Sequence, residues 1–253
     1  MQLTVLGAGP AYTSRRGAAG SSYLLQQRVG DDVASLVLDL GQGSFANLAA
    51  TVEPSTLEAL LVSHLHPDHF VDLVALRHYL KWEFEPSRRV RVVGPNGLAD
   101  RLDGLEGEEG FTAASLDVGE LPEEKCELGP FTVAPKLVTH TDESYAFRVS
   151  IGNGTSRGLV YSGDCSNPAD LLPLIHPGDT VLCEASFGAG PVAEGAEHMT
   201  SGEAAMAAAK GGAGQLLLTH VLAGHSRDET LAAARAIYGG PVQLVTEGDT
   251  FEI

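Results

Sequence analysis

The sequence lacks the features that mark secreted, membrane-spanning and disulfide-bonded proteins. Its 253 residues include three cysteines, odd in number and widely spaced, which excludes a disulfide framework and a zinc knuckle. The first residues are not basic and no long apolar stretch follows them, so no signal peptide is predicted. No segment approaches the roughly 20 apolar residues that a membrane span requires. The sequence therefore predicts a soluble, cytoplasmic protein without a membrane partner.

Basic residues are scarce, and several catalytic motifs are absent. The chain has 16 Lys and Arg against 33 Asp and Glu, a net charge of −17. Proteins that hold large nucleic acids neutralise phosphates with basic surface, so a long nucleic acid is not expected as a partner. There is no Gly-x-Ser-x-Gly elbow and no Walker loop. Gly7 and Gly9 begin a dinucleotide-type motif, but Tyr12 stands where its last glycine would be.

Histidine and aspartate, by contrast, recur in short segments that follow apolar, strand-like stretches. The residues concerned are His64, His66, Asp68, His69, His140, Asp164 and His220. Neutral imidazoles and carboxylates are the ligands that zinc and similar divalent ions prefer. Two such ions held close together can generate and position an attacking hydroxide. The pattern therefore predicts a two-metal site and a metal-dependent hydrolase.

The first of these segments carries most of the signal. The apolar run Leu60-Leu61-Val62 predicts a strand, and His64 and His66, two apart on extended chain, point to one side of its end. The proline that follows suits the first turn of a helix, so Asp68 and His69 are predicted to open that helix. One junction thus offers four ligands, two for each of two ions. The alternative is a set of hydrogen-bonded core histidines.

These residues match in full the signature His-x-His-x-Asp-His of the metallo-β-lactamase superfamily, which the chain resembles essentially from end to end. Alternating strand-like and helix-like segments, with 43% hydrophobic residues and 30 glycines, indicate the α/β class. The resemblance implies an αββα four-layer sandwich with the metals at one edge of its two sheets. The length suits one large core, so we expect a single hydrolase domain over residues 1–253.

The resemblance also implies how the ligands are shared between the two ions. One ion would bind His64, His66 and His140, and the second would bind Asp68, His69 and His220, with Asp164 as the bridge. Asp39 matches an aspartate that supports the histidine loop by hydrogen bonding. An ordinary turn aspartate at the end of a strand is the alternative for Asp39.

A histidine outside the ligand set indicates the type of reaction. A strand ending in Glu184, followed by His198 and Thr200, resembles the phosphodiesterase branch of the superfamily, which includes ribonuclease Z. Thr200 and Glu203 predict a capping box, so His198 lies just before the positive end of a helix. The resemblance implies that His198, oriented by Glu184, protonates the departing oxygen, while Asp68 orients the nucleophile. The alternative is that His198 only caps a loop.

The absence of an inserted arm indicates the size of the substrate. The tRNA-processing enzymes of this branch carry a long basic arm, but His140 and Asp164 are only 24 residues apart. Four segments further resemble bacterial atypical class II cyclic-nucleotide phosphodiesterases, namely residues 63–69, 161–164, 182–186 and 216–220. We therefore predict hydrolysis of a small phosphodiester, a 3′,5′- or 2′,3′-cyclic nucleotide, by a hydroxide held between the ions.

Several alternatives stay open. A ribonuclease Z-like RNA-processing nuclease, or a hydrolase of lactones and other acyl esters, could use the same ligands. Zinc is the expected metal, although manganese and iron accept the same ligand types. The oligomeric state is open, a homodimer included.

Five further side chains are candidates for contact with the substrate: Arg15, Arg16, His78, Trp82 and His225. The two arginines belong to a Gly- and Ser-rich segment, residues 9–22, which is either a solvated loop or a loop that faces a phosphate. Trp82 either stacks on a base or, as is more usual for an aromatic on a helix, packs in the core.

Overall fold

A computed structural model describes residues 1–192 and 195–253 of the chain. Its strands form two seven-stranded sheets. The first sheet comprises β1 (Gln2–Gly7), β2 (Ser22–Val29), β3 (Asp32–Leu38), β4 (Ala59–Leu61), β5 (Val90–Gly94), β6 (Leu116–Glu120) and β14 (Thr250–Glu252). The second comprises β7 (Cys126–Leu128), β8 (Phe131–Leu137), β9 (Tyr145–Ile151), β10 (Gly158–Tyr161), β11 (Thr180–Glu184), β12 (Gln215–Thr219) and β13 (Val242–Leu244).

Each sheet has an antiparallel half and a parallel half. In the order β14-β1-β2-β3-β4-β5-β6, pairing is antiparallel as far as β3 and parallel beyond it. In the order β13-β12-β11-β10-β9-β8-β7, strands β10 to β13 are parallel and the rest are antiparallel. Ligands of open α/β sheets bind outside the carboxyl ends of parallel strands. Six of the seven predicted metal ligands follow β4, β10 and β12, which end in this way, whereas His140 follows the antiparallel strand β8.

The sheets face each other across a core of alternating side chains. Along β3, Leu36 and Leu38 are fully buried in the cluster between the sheets, whereas Val37 belongs to the cluster under the helices of the first sheet. Successive side chains of a strand point to opposite faces, which gives this alternation. Phe131, Phe147 and other side chains of the second sheet complete the central cluster.

Helices cover the outer face of each sheet. Those of the first sheet are α1 (Ser44–Thr51), α2 (Pro67–Phe70), α3 (Leu73–Trp82) and α4 (Leu98–Glu106), and those of the second are α5 (Ser201–Gly211) and α6 (Arg227–Arg235). In α3 the buried residues include Leu73, Leu76 and Leu80, spaced as one face of a helix requires. The four layers confirm the predicted αββα arrangement and the α/β class.

A charged pair is buried in the second sheet. The guanidinium of Arg148, in β9, donates from Nε and Nη2 to the two carboxylate oxygens of Asp179 at 2.8 and 3.0 Å. Asp179 also accepts the backbone N–H groups of Gly158 and His176. These donors compensate the desolvation of the carboxylate, which leaves neither charge unpaired.

Within the described ranges, no helix is long and apolar enough to cross a membrane.

Candidate metal centre

The junction between β4 and α2 has the local structure that the sequence predicts. His66 is extended, with φ −80° and ψ 137°, because Pro67 disfavours a helical conformation before it. Pro67 begins α2, and Asp68 and His69 lie in its single turn. His64 is fully buried, directly behind this turn. Four potential ligands therefore come from one sharp change of chain direction.

A first group of ligand atoms gathers around the side chain of His66. Its Nδ1 lies 3.0 Å from Nε2 of His64 and 3.1 Å from Nε2 of His140. Nε2 of His64 lies 3.6 Å from Oδ2 of Asp164. Each of the four residues offers one ligand atom, and these four atoms all lie within 4.8 Å of one another. They could hold one metal ion.

A second group consists of Asp68, His69 and His220. Nε2 of His220 lies 3.1 Å from Oδ2 of Asp68. Asp164 approaches this group as well, with Oδ2 3.3 Å from Nε2 of His69 and Oδ1 3.7 Å from Nε2 of His220. The carboxylate of Asp164 thus lies between the two groups, as a bridge would. All seven predicted ligands are brought together, and their division between two ions stays a prediction.

Two buried polar atoms fit the presence of metal ions. Nε2 of His69 and Oδ1 of Asp164 are inaccessible to solvent and have no hydrogen-bond partner. Leaving such atoms unsatisfied in the interior is unfavourable, whereas a metal ion would use both lone pairs. The residues present therefore fit a divalent ion.

Hydrogen bonds to the outer ring nitrogens fix the tautomers of the imidazoles. Nδ1 of His140 lies 2.8 Å from the carbonyl oxygen of Glu197, so this nitrogen carries the proton. Nδ1 of His220 lies 2.9 Å from Oγ of Ser186, whose own proton is donated to Glu184 at 2.6 Å. In both rings Nε2 is then the unprotonated nitrogen, and it faces the other candidate ligands. Metal-binding histidines are commonly oriented in this way.

Asp39 supports the histidine junction from β3. Its carboxylate accepts the backbone N–H of Ser63 at 2.7 Å and the Ser63 hydroxyl at 2.8 Å. It also lies 2.7 Å from Nδ1 of His69 and accepts the hydroxyl of Tyr161 at 2.6 Å. Burial disfavours a proton on His69, but Asp164 and Asp39 outweigh that effect and raise the pKa of its imidazole. These contacts favour the supporting role over that of an ordinary turn aspartate.

His198 and Glu184 form the pair that the sequence predicts beside the ligands. Nδ1 of His198 lies 3.0 Å from Oε1 of Glu184 and 3.8 Å from Oδ2 of Asp164. The side chain of Glu184 is 1% exposed, whereas that of His198 is 23% exposed. Burial lowers the pKa of His198, but the hydrogen bond and charge of Glu184 outweigh it, so the net shift is upward. The shift favours the protonated imidazole at the open face of the cluster.

The helix that follows His198 begins with the predicted capping box. The Thr200 hydroxyl accepts the backbone N–H of Glu203 at 3.2 Å, and the Glu203 carboxylate accepts that of Thr200 at 2.8 Å. Helix α5 then starts at Ser201. The loop that carries His198 is thus fixed at its carboxyl end.

The arginine-containing loop is attached to the protein surface through Glu247. Nη2 of Arg15 lies 2.9 Å from Oε1 of Glu247, and this carboxylate also accepts the backbone N–H groups of Ala8 and Ala19. Arg15 therefore neutralises a carboxylate that orders the loop, and its contact with a substrate phosphate stays a prediction. Arg16 is exposed.

The remaining candidates differ in their surroundings. Trp82 is 71% exposed, so the expectation that it packs in the core is wrong. The His78 ring packs edge-on against Phe111, with 5.3 Å between centroids. The ring centroids of His225 and Phe187 are 6.5 Å apart, and another neighbour of the Phe187 ring is the imidazole of His198. His225 and the predicted proton donor His198 therefore pack against the same aromatic ring.

The sequence analysis assigned no role to Ser186, although it joins both halves of the site. Its hydroxyl contacts Glu184, His220 and, at 3.3 Å, Nδ1 of His198. No local pattern indicated this role, because Ser186 lies in the turn after β11 and its histidine partners are 12 and 34 residues away in the chain.

Comparison with known proteins agrees with this geometry. Residues 37–221 match the family model described as "Beta-lactamase superfamily domain". An uncharacterized protein of Mycobacterium tuberculosis, Rv1339, is 34% identical over all of this chain and 92% of its own length. Ribonuclease Z of Mycobacterium marinum is 26% identical over 96% of this chain and 95% of its own length.

The protein YhfI of Bacillus subtilis, a probable metallo-hydrolase, is similar in sequence and in structure. It is 27% identical over the full length of both chains. Its crystal structure superposes with a TM-score of 0.85 and covers 99% of each chain. The crystal structure is described as that of a metallo-beta-lactamase fold protein.

Proposed function

The chain belongs to the beta-lactamase superfamily, and we propose that it is a two-metal phosphodiesterase that cleaves a small cyclic nucleotide. That the chain is a hydrolase follows from the family and from its metallo-hydrolase relatives. What we propose is the type of bond that is cleaved and the substrate that contains it. It includes two divalent ions per chain, zinc being a good match to histidine and aspartate ligands.

The pair formed by His198 and Glu184 carries the proposal. A partly exposed imidazole with a buried carboxylate on its Nδ1 stands beside the clustered ligand atoms. Such a group can donate a proton from Nε2 to a leaving oxygen. A ribose oxygenate is a poor leaving group, so its departure from phosphorus benefits from such a donor.

Divalent ions bound in the cluster would activate a water molecule and neutralise charge on the phosphoryl oxygens. In hydrolysis a water oxygen would form the new bond to phosphorus and release one proton to solvent, while the bond from phosphorus to the ribose oxygen breaks. His198 gives its proton to the departing ribose oxygen, and Glu184 holds the imidazole in place. The Asp68 side chain, 9% exposed against 3% for Asp164, is the better placed of the two carboxylates to orient the attacking water.

The segment between His140 and Asp164 supports a small substrate. It is occupied by the strands β9 and β10 and the turn that joins them, with no inserted arm. The acidic net charge of −17 adds to this argument, because a long RNA would be repelled by such a surface. A cyclic nucleotide presents one phosphodiester and needs neither an arm nor a basic face.

The ribonuclease Z relative favours a second candidate, cleavage of RNA. An acyl-ester hydrolase is a third, since it could use the same ligands. A substrate panel separates the three. Zinc- or manganese-loaded protein should hydrolyse 3′,5′- or 2′,3′-cyclic nucleotides and lose that activity on chelation, while precursor tRNA and lactones react far more slowly. Faster turnover of tRNA or of a lactone would overturn the proposal in favour of the corresponding candidate.

A further inference from the structure

Two buried tyrosines join the sheets directly behind the candidate metal centre. Tyr23 lies in β2 of the first sheet and Tyr161 ends β10 of the second, with ring centroids 5.0 Å apart. Each hydroxyl reaches the opposite sheet. Tyr161 donates to Oδ2 of Asp39 at 2.6 Å, and the Tyr23 hydroxyl lies 2.6 Å from Oγ1 of Thr219. Both side chains are at most 1% exposed.

Each of these hydrogen bonds is made at, or directly beside, a residue whose backbone conformation is strained. Among the described residues, the non-glycine residues with positive φ are Asp39 and His220, both at 58°. Side chains with a Cβ adopt this conformation rarely, and it persists where the surroundings fix it. Asp39 is itself the partner of Tyr161, and His220 directly follows the threonine that contacts Tyr23.

Both strained residues serve the same group of ligand atoms. Asp39 contacts Nδ1 of His69 at 2.7 Å, and Nε2 of His220 lies 3.1 Å from Oδ2 of Asp68. Asp68, His69 and His220 are the second group described above. In the first group, by contrast, His140 is fixed by a backbone carbonyl. Asp39 reaches the first group only indirectly, through the Ser63 hydroxyl, which lies 3.1 Å from Nδ1 of His64. The two tyrosine hydrogen bonds therefore act most directly on the second of the two candidate ion positions.

We propose that Tyr23 and Tyr161 are positioning residues for the ion held by Asp68, His69 and His220, acting from opposite sheets without touching ion or substrate. The inference rests on the two-ion site of the proposed function. If the hydroxyls only stabilised the core, their removal would lower the stability of the whole protein. If they position ligands, their removal weakens one ion selectively. Burial raises the pKa of both phenols, so the hydroxyl protons are retained.

The test is a zinc titration of the metal-free protein, in competition with a chelating dye and without substrate. Tyr23→Phe and Tyr161→Phe should each lower the affinity for one of two ions by roughly 10- to 100-fold, since loss of a group that orients a ligand has effects of this size. The affinity for the other ion should stay within about twofold of wild type, a margin far below that range. Tyr238→Phe is the control, because the partly buried hydroxyl of Tyr238 donates to the backbone carbonyl of Ala213 at 2.7 Å, outside the candidate metal centre.

Wild-type affinities in both folded variants, or equal weakening of both ions, would overturn the inference. If Tyr161→Phe does not fold, Tyr23→Phe and Thr219→Val, which remove the other hydrogen bond from either end, decide the matter. A wild-type protein that binds fewer than two ions contradicts the inference and the proposed site together. If the selective loss is seen but cyclic nucleotides are not cleaved, only the proposed function fails.

Discussion

The imidazole rings of His198 and His220 lie nearly parallel, with 5.8 Å between their centroids and 26° between their planes. Ser186 contacts Nδ1 of both rings, at 3.3 and 2.9 Å. A residue predicted to deliver a proton thus lies directly beside one predicted to bind a metal ion. Experiments on either residue must therefore distinguish lost proton transfer from lost metal, and metal content has to be measured with every rate.

Replacement of His198 by alanine tests the predicted proton donor. His198→Ala should keep its metal ions and lower the rate on a 3′,5′-cyclic nucleotide by roughly 10²- to 10⁴-fold, the usual range for loss of a general acid. The loss should shrink for a nitrophenyl phosphodiester, because nitrophenolate leaves without protonation. His176→Ala is the control, since it removes an exposed imidazole that is not among the candidate site residues. Equal slowing of both substrates in His198→Ala would assign this histidine a structural role.

Replacement of Glu184 should give a weaker version of the same pattern. Glu184→Gln keeps a hydrogen-bond acceptor for Nδ1 of His198 but removes the negative charge that raises the pKa of this imidazole. The rate on a cyclic nucleotide should fall less than in His198→Ala, and the nitrophenyl ester should again be affected least. Steady-state kinetics on both substrates provide the measurement. A loss larger than that of His198→Ala, with metal retained, would contradict an orienting role.

Removal of Asp164 should affect both ions, whereas removal of His140 should affect one. Asp164 approaches ligand atoms of both groups, at 3.6 Å to His64 and 3.3 Å to His69. His140 has its close contact with His66, in the first group only. Metal content after dialysis should therefore fall towards zero in Asp164→Ala and towards one ion in His140→Ala. The same mild loss in both variants would argue against a bridging carboxylate.

The buried pair of Arg148 and Asp179 should be important for stability. Arg148→Met leaves Asp179, which is fully buried, without its cation, and breaking such a pair costs about 3–5 kcal/mol. The free energy of unfolding in urea measures this loss. Arg89→Ala is the control, because its ion pair with Asp117 is about half exposed and should contribute about 0–1 kcal/mol. Similar losses in both variants would show that burial of the pair does not determine its effect.

The clustering of the seven candidate ligands could be predicted from sequence because each stands at a strand end with its spacing intact. His64 to His69 lie on a strand-to-helix turn whose geometry the local residues dictate, and the pairing of His198 with Glu184 followed from resemblance. The role of Tyr161 could not be predicted in this way. Its hydroxyl meets Asp39 across the core, 122 residues away in the chain, and no local pattern encodes which side chain of one sheet faces which of the other.

Surface side chains were predicted less well, for a related reason. Arg15 stays a candidate for phosphate contact, but its ion pair with Glu247 was not predicted, because Glu247 lies far along the chain and its position depends on the complete fold. Packing in the core was the more usual alternative for Trp82, because aromatic residues of helices commonly pack there. Trp82 is the last residue of α3 and follows the buried Leu80 by two positions, which places it on the opposite side of the helix. In both cases the tertiary environment outweighs the preference of the residue type.

The candidate ion positions take their ligands from both sheets, with His64, His66, Asp68 and His69 on one side and His140, Asp164 and His220 on the other. An ion bound there is a reversible cross-link between two halves of the molecule. By mass action, free metal at a thousand times its dissociation constant would stabilise the folded chain by about 4 kcal/mol per site. A chain made during metal starvation would open more often and be degraded faster by proteases. Its abundance would then follow the supply of metal in the cell, independently of any demand for its reaction.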